Sequence, residues 1–228
     1  MKIVGFIRTT LLDWDGMVAC TIYLAECDFR CPYCHNKEIV LNPEQADELD
    51  DEKIFNFIKE NSDFLDGVVI SGGEPTLNKE LPDLIKKLRG LGMKIKLDTN
   101  GYHPDVLEDL IGAGYIDKVA MDIKAPLTKE RYSAVAGTEI DPELLKRSIR
   151  IIMESGIDYE FRTTCSPILI KPEDIEEIGD RMYDITLPAD QRSVGGLGIF
   201  LCKKLMDNIS YRYEDGNNVL VMTKRVIS

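Results

Sequence analysis

Cys27-Asp28-Phe29-Arg30-Cys31-Pro32-Tyr33-Cys34, followed by His35 and Asn36, puts three cysteines within eight residues in the spacing C-x3-C-x2-C. One loop can turn three such thiolates toward one soft metal centre, and thiolate is the ligand of iron–sulfur clusters and of zinc. A structural zinc site is a closed tetrahedron of four protein ligands. Three thiolates leave a position open, and open positions are where chemistry happens. His35 follows Cys34 directly, which makes a shared metal awkward. A zinc knuckle or plain buried thiols are the alternatives, and the triplet departs from the usual zinc spacings.

Working outward, Val18, Cys20, Ile22 and Leu24 alternate on one face of a strand that ends at the cysteine loop. Residues 44–61 read as a helix with Ile54, Phe57 and Ile58 at core spacing. Gly67 to Ser71 is a short buried strand, and Gly72-Gly73-Glu74-Pro75 lies just past it. Leu77, Leu81, Leu84, Ile85 and Leu88 mark the next helix. The unit then repeats. Lys94 to Leu97 is a strand tipped by Asp98-Thr99-Asn100-Gly101. Val106, Leu107, Leu110 and Ile111 are helical, and Val119 to Met121 is a strand ending in Asp122-Ile123-Lys124. Leu144, Leu145, Ile149 and Ile152 form a helix, Tyr159, Phe161 and Thr163 a strand, and Ile175, Ile178 and Met182 a final helix. Strands alternating with helices make parallel βα units. About five of them predict an α/β fold, an open, partial barrel with its polar strand tips on one rim.

The bulk properties bound the rest. The 228 residues are 44% hydrophobic and 30% charged, with net charge -12, an ordinary soluble composition that disfavours a nucleic-acid surface. No apolar run reaches the ~20 residues that span a bilayer, and the start of the chain is too short in apolar residues for a signal peptide. Cys20, Cys165 and Cys202 are scattered, so the six cysteines suggest a reducing cytoplasm rather than disulfides.

The cysteine motif and Gly72-Gly73-Glu74-Pro75, in that order, resemble the two signatures of radical S-adenosylmethionine (SAM) enzymes. Residues 1–183 are similar to the activating proteins of glycyl-radical enzymes, most of all to the activating protein of anaerobic ribonucleoside-triphosphate reductase. The opening Gly5 to Trp14, the run Cys31 to Asn36, Asp98-Thr99-Asn100-Gly101 and Asp122-Ile123-Lys124 carry that likeness. The resemblance implies a [4Fe–4S] cluster held by Cys27, Cys31 and Cys34, with SAM on the fourth iron. It implies an electron donor such as flavodoxin or ferredoxin, and a glycyl-radical enzyme as partner. A 5′-deoxyadenosyl radical would remove hydrogen from a glycine of that partner, with no catalytic side chain beyond cluster and SAM. It also suggests roles around SAM: Gly72 and Gly73 for close backbone approach, Glu74 for the amine and Tyr33 for the adenine. Asp98 and Asn100 would meet the ribose, or a cation shared with Asp122, and Lys124 with Arg162 the carboxylate. His103, beside Pro104, reads as a loop residue.

Residues 184–228 change character. A proline-bearing loop and Gly195-Gly196-Leu197-Gly198 precede a helix carrying Leu201, Leu205 and Met206, and two strands meet around Asp215-Gly216 as a β-hairpin. This second unit resembles the C-terminal end of a GHKL ATPase of the anti-sigma-factor serine kinase type, without that family's magnesium and adenine motifs. The tail is therefore expected to cover the barrel edge rather than bind ATP. Two other functions compete with the activase: a radical SAM enzyme on a small molecule, and an anti-sigma-like regulatory protein with a structural cluster. Replacing Cys27, Cys31 or Cys34 by Ala should each abolish the visible thiolate-to-iron absorption of the anaerobically reconstituted protein. The same loss in Cys165→Ala or Cys202→Ala would redirect the ligand assignment.

Overall fold

Val68 and Ile70, Ile95 and Leu97, and Val119 and Met121 are fully buried, each pair two residues apart on its strand. In the computed structural model, which describes residues 1–164, 169–171, 173–175, 177–178, 208–214 and 217–223, these pairs line one face of a six-stranded sheet. Its strands are β1 (Ile3–Thr10), β2 (Ala19–Leu24), β3 (Gly67–Gly72), β4 (Lys94–Thr99), β5 (Lys118–Asp122) and β6 (Asp158–Arg162). They lie in chain order, with β1 antiparallel to β2 and all other pairs parallel. The intervening helices are α1 (Lys37–Leu41), α2 (Asp51–Glu60), α3 (Leu81–Gly90), α4 (Pro104–Gly112), α5 (Lys129–Ala136) and α6 (Pro142–Glu154). Leu81, Ile85, Leu88, Leu107, Leu145 and Ile152 bring the helices into the same core as the strand residues. This is the open α/β partial barrel expected.

The opposite strand face turns polar toward the C-terminal ends. Near the bottom, Trp14 packs with Ala19 and Val69. Above them Lys96, 3% exposed, donates to the Asp13 carbonyl at 2.6 Å and to Glu160 at 2.9 Å. Glu160 also meets Lys118 at 3.2 Å. A lysine this buried persists because its charge is paired and hydrogen-bonded. Higher still come Ser71, Asp98, Asp122 and Arg162. The parallel register sets Leu24 beside Gly72 and Asp122 beside Arg162, so the strand ends form one rim.

Several boundaries differ from the sequence expectation. The helix expected over 44–61 is only α2. Asp50 accepts a hydrogen bond from the Lys53 N–H as its N-cap, and the Leu49 N–H is drawn to the Ile3 carbonyl at 2.8 Å. β1 shows no clear strand period in the sequence, because register shifts between Ile3 and Gly5 and between Ile7 and Thr10 break its alternation. α5 has little apolar periodicity, and α1 has only five residues. In the tail, β7 (Asn208–Glu214) and β8 (Asn217–Thr223) pair antiparallel as a separate two-stranded sheet. Their register sets Ile209 opposite Met222 and Tyr211 opposite Leu220, whereas Val219 and Val221 stand opposite Arg212 and Ser210. Met182, Cys165, Cys202, Asp215-Gly216 and the expected glycine-rich turn and helix around Leu201, Leu205 and Met206 lie outside the described residues.

α5 ends in Gly137, whose φ of 69° is left-handed, and a Cβ there would lie 2.2 Å from the Arg30 carbonyl oxygen. The Arg30 N–H in turn donates to the Ala136 carbonyl at 2.7 Å, so this helix end braces the cysteine loop. Gly137→Ala should cost at least about 2 kcal/mol, combining left-handed strain with backbone overlap. A lowered urea midpoint at unchanged slope would show it.

Candidate functional site

The cysteine loop is fastened before any ligand is considered. Glu26 turns the chain with φ of 71°, unusual for a residue with a side chain. Its carbonyl accepts the Glu74 N–H at 2.8 Å, and the Gly73 N–H donates to the Leu24 carbonyl at 2.8 Å. The Asn36 amide donates to the Gly72 carbonyl at 2.7 Å. Phe29, 1% exposed, inserts edge-on between the rings of Tyr102 and Tyr132. The middle of the C-x3-C segment is thus an apolar anchor, and the thiols hang from a fixed loop.

Cys27, Cys31 and Cys34 all line one cavity of about 200 Å3 at the strand rim. Tyr33 comes from the same loop, and Ser71, Gly72 and Gly73 from the end of β3. Asp98 and Asn100 reach it from β4, Asp122 and Lys124 from β5, and Arg162 from β6. Burial pushes the Cys27 thiol up to about 12 and raises Cys31 as well, with Lys124 opposing the shift at Cys31. Among the described residues, no three His, Cys, Asp or Glu side chains are placed to hold one metal ion. A multi-iron cluster takes each thiolate on a different iron.

The cavity's charged wall is built of paired ions. Lys124 lies 3.3 Å from Asp122 Oδ2. Arg162 meets Asp122 Oδ1 at 3.0 Å and Asp98 Oδ2 at 3.4 Å. Burial works against both cations, but the carboxylates outweigh it and raise them above their ordinary ranges, so both stay charged. Burial raises the Asp98 carboxyl, opposed by Arg162. Among the described residues, Asp98 Oδ1 and the Tyr33 hydroxyl are buried without a hydrogen-bond partner. Two orphaned polar atoms beside one cavity are open valences for a polar ligand. Thiols, paired cations and orphaned acceptor together suit a cluster carrying a zwitterionic, hydroxyl-bearing cofactor.

Four expected roles change. Glu74 is fully buried and does not line the cavity. Its carboxylate accepts from the Thr76 N–H and hydroxyl, the Thr99 hydroxyl and the Asn100 N–H, the last at 2.6 Å, so it is spent on protein and not open to the SAM amine. Gly72 and Gly73 border the cavity, but a Cβ on them would strike backbone rather than ligand space. It would meet the Leu24 oxygen at 2.2 Å from Gly72, and the Glu26 oxygen at 1.8 Å from Gly73. Their lack of side chain lets the end of β3 lie against the cysteine loop. The Asn100 side chain is committed at both ends, its amide donating to Asp28 at 2.8 Å and its oxygen accepting from the Tyr102 N–H at 2.9 Å. His103 is no idle loop residue, because its ring lies 3.1 Å from Asp28.

The model of the Radical SAM superfamily matches residues 21–182. The chain belongs to the radical SAM superfamily. It is a radical SAM enzyme, and its cofactors are a [4Fe–4S] cluster and SAM. A Methanocaldococcus jannaschii protein named as a glycyl-radical enzyme activating enzyme is 36% identical over 194 residues, covering 82% of this chain and 78% of its own. The pyruvate formate-lyase-activating enzyme of Clostridium pasteurianum is 30% identical over 132 residues, 56% of this chain and 53% of its own. Escherichia coli QueE superposes with a TM-score of 0.51 at 21% identity, over 85% of this chain and 80% of QueE, a likeness of fold.

Glu74→Ala should destabilise the fold by about 3 kcal/mol or more, because it strands buried donors on two loops. Glu74→Gln should cost less but measurably, since its NH2 would face donors. Thermal and urea unfolding of the variants measure this, and a Glu74→Ala protein as stable as the parent would contradict it.

Proposed function

We propose that the chain is a glycyl-radical enzyme activating enzyme. The relative of similar length, 36% identical and named for that activity, is the observation that carries the reading. The cluster would be held through Cys27, Cys31 and Cys34, leaving one iron for SAM. When bound, cluster and SAM supply the one-electron cleavage that generates a carbon radical. What the chain contributes is position and exclusion. Lys124 and Arg162 are charged and aimed at the cavity, where they would hold the SAM carboxylate. The orphaned Asp98 Oδ1 would accept from a ribose hydroxyl, and the Tyr33 side chain would border the adenine. Asp122 orients both cations. Gly72 and Gly73 let the end of β3 lie against the cysteine loop, which would hold the cluster ligands beside the SAM site.

The finer partner is anaerobic ribonucleoside-triphosphate reductase, supported by the likeness of Cys31 to Asn36, Asp98 to Gly101 and Asp122 to Lys124 to its activating protein. An external donor of the flavodoxin or ferredoxin kind would reduce the cluster, in a reducing cytoplasm. No helix among the described residues is long and apolar enough to cross a membrane. Residues 1–183 would form the radical SAM unit and 184–228 a cover for its edge, with no ATP site.

The test is anaerobic reconstitution, followed by reduction and assay of 5′-deoxyadenosine. Addition of the reductase should then produce a glycyl-radical EPR signal. Reductive SAM cleavage without a radical on any glycyl-radical enzyme would reject the activase reading and keep the family. Lys124→Met should weaken SAM binding to the reconstituted protein about tenfold or more, some 1.4 kcal/mol. Calorimetry reads this directly, and unchanged affinity would remove Lys124 from the site.

A further inference from the structure

Of the three cysteine sulfurs in the loop, Cys27 is the one that receives donors among the described residues. The Phe29 N–H donates to it at 3.4 Å, and the Asn100 side-chain nitrogen lies 4.0 Å away, the outer limit of a contact to sulfur. Asn100 is 5% exposed, and its amide has one possible orientation. Its oxygen must take the Tyr102 N–H at 2.9 Å, and its nitrogen must face the Asp28 carboxylate at 2.8 Å. One N–H is then spent on Asp28 and the other is left toward Cys27. Asp28 is fixed in turn from the far side, where its second oxygen lies 3.1 Å from His103 Nε2. His103 stands directly before Pro104, which opens α4, so its backbone is set by the helix start. The line His103–Asp28–Asn100–Cys27 therefore runs from a helix terminus to one thiol.

We propose that Asp28 and His103 are positioning residues that hold the Asn100 amide as a hydrogen-bond donor to the Cys27 sulfur, so that this chain sets the reduction potential of its cluster through one ligand. This rests on Cys27 being a cluster ligand. Hydrogen bonds to cluster sulfurs stabilise the more negative, reduced state and raise the potential. Removing the donor makes the cluster harder to reduce. Releasing Asp28 from His103 acts in the same direction, because it loosens Asn100 and leaves the carboxylate uncompensated beside Cys27.

The experiment is an EPR-monitored redox titration of the reconstituted full-length chain without SAM, alongside iron and sulfide analysis. Asn100→Ala should disfavour reduction up to tenfold, a downward shift of about 59 mV for a one-electron couple. His103→Ala should shift the potential the same way by less, and His103→Gln, whose amide nitrogen reaches the Nε2 position and keeps a donor for Asp28, should return it toward the parent. Unchanged potentials in fully loaded Asn100→Ala and His103→Ala would overturn the proposal. So would loss of the cluster from both variants with the fold intact, since the residues would then retain the cluster rather than tune it. A parent chain that takes up no iron would instead sink the ligand reading on which the proposal stands.

Discussion

One buried carboxylate holds the rim together. Glu74 accepts hydrogen bonds from Thr76 on its own loop and from Thr99 and Asn100 at the end of β4. Burial pushes its carboxyl above the ordinary range, although every one of these donors pulls the other way. A charge-accepting group in that position ties two strand ends more tightly than apolar packing would, because leaving either side unpaired strands donors in a dry interior. The residues that line the cavity from β3 and β4, Ser71 and Gly73 on one side and Asp98 and Asn100 on the other, inherit their separation from this tie. Through the Glu74 N–H on the Glu26 carbonyl, it also reaches the cysteine loop.

The architecture was largely legible because buried parallel strands read as short apolar runs ending in polar tips, and all the tips fell on one rim. β1 was not legible, since two register shifts erase its period. α5 was not, since Gly137 and the packing on Arg30 define it more than any apolar stripe. Residue types of the site were legible too: three cysteines, strand-end carboxylates and two cations. Direction was not. Sequence shows that Glu74 follows two glycines, but not that its side chain turns back to cap the turn at Pro75–Leu77. Thr76 two residues on and Thr99 at the next tip were the available signals, as hydroxyls able to satisfy a buried acid. His103 left a fainter trace, for only folding brings it beside Asp28.

The glycines show how one sequence feature admits two physical explanations. A pair of glycines beside a ligand site suggests room for the ligand. Here the positive φ of Gly72, 118°, and the contact of Gly73 with the Glu26 carbonyl place the close approach between two segments of protein. The cavity gains indirectly. A side chain at either position would lever the cysteine loop away from β3 and separate the thiols from the charged wall facing them.

That wall is nearly neutral although the chain carries a net charge of -12. Lys96, Lys118, Lys124 and Arg162 face Asp98, Asp122 and Glu160, and Arg162 reaches all three of those carboxylates, Glu160 at 3.9 Å. Such a ladder avoids the desolvation cost of isolated charges, yet its upper end is not saturated. Among the described residues, Asp98 keeps one oxygen free of partners, and Lys124 has a single carboxylate at 3.3 Å. An incoming carboxylate can therefore share Lys124 and Arg162 with Asp122 without either cation giving up its last partner. An incoming hydroxyl gains an acceptor that is already dehydrated. Both features lower the reorganisation needed on binding, which is the part of the binding cost a protein can settle in advance. The lower end, closed by Lys96 on the Asp13 carbonyl and by Trp14, keeps that arrangement from relaxing into the lumen.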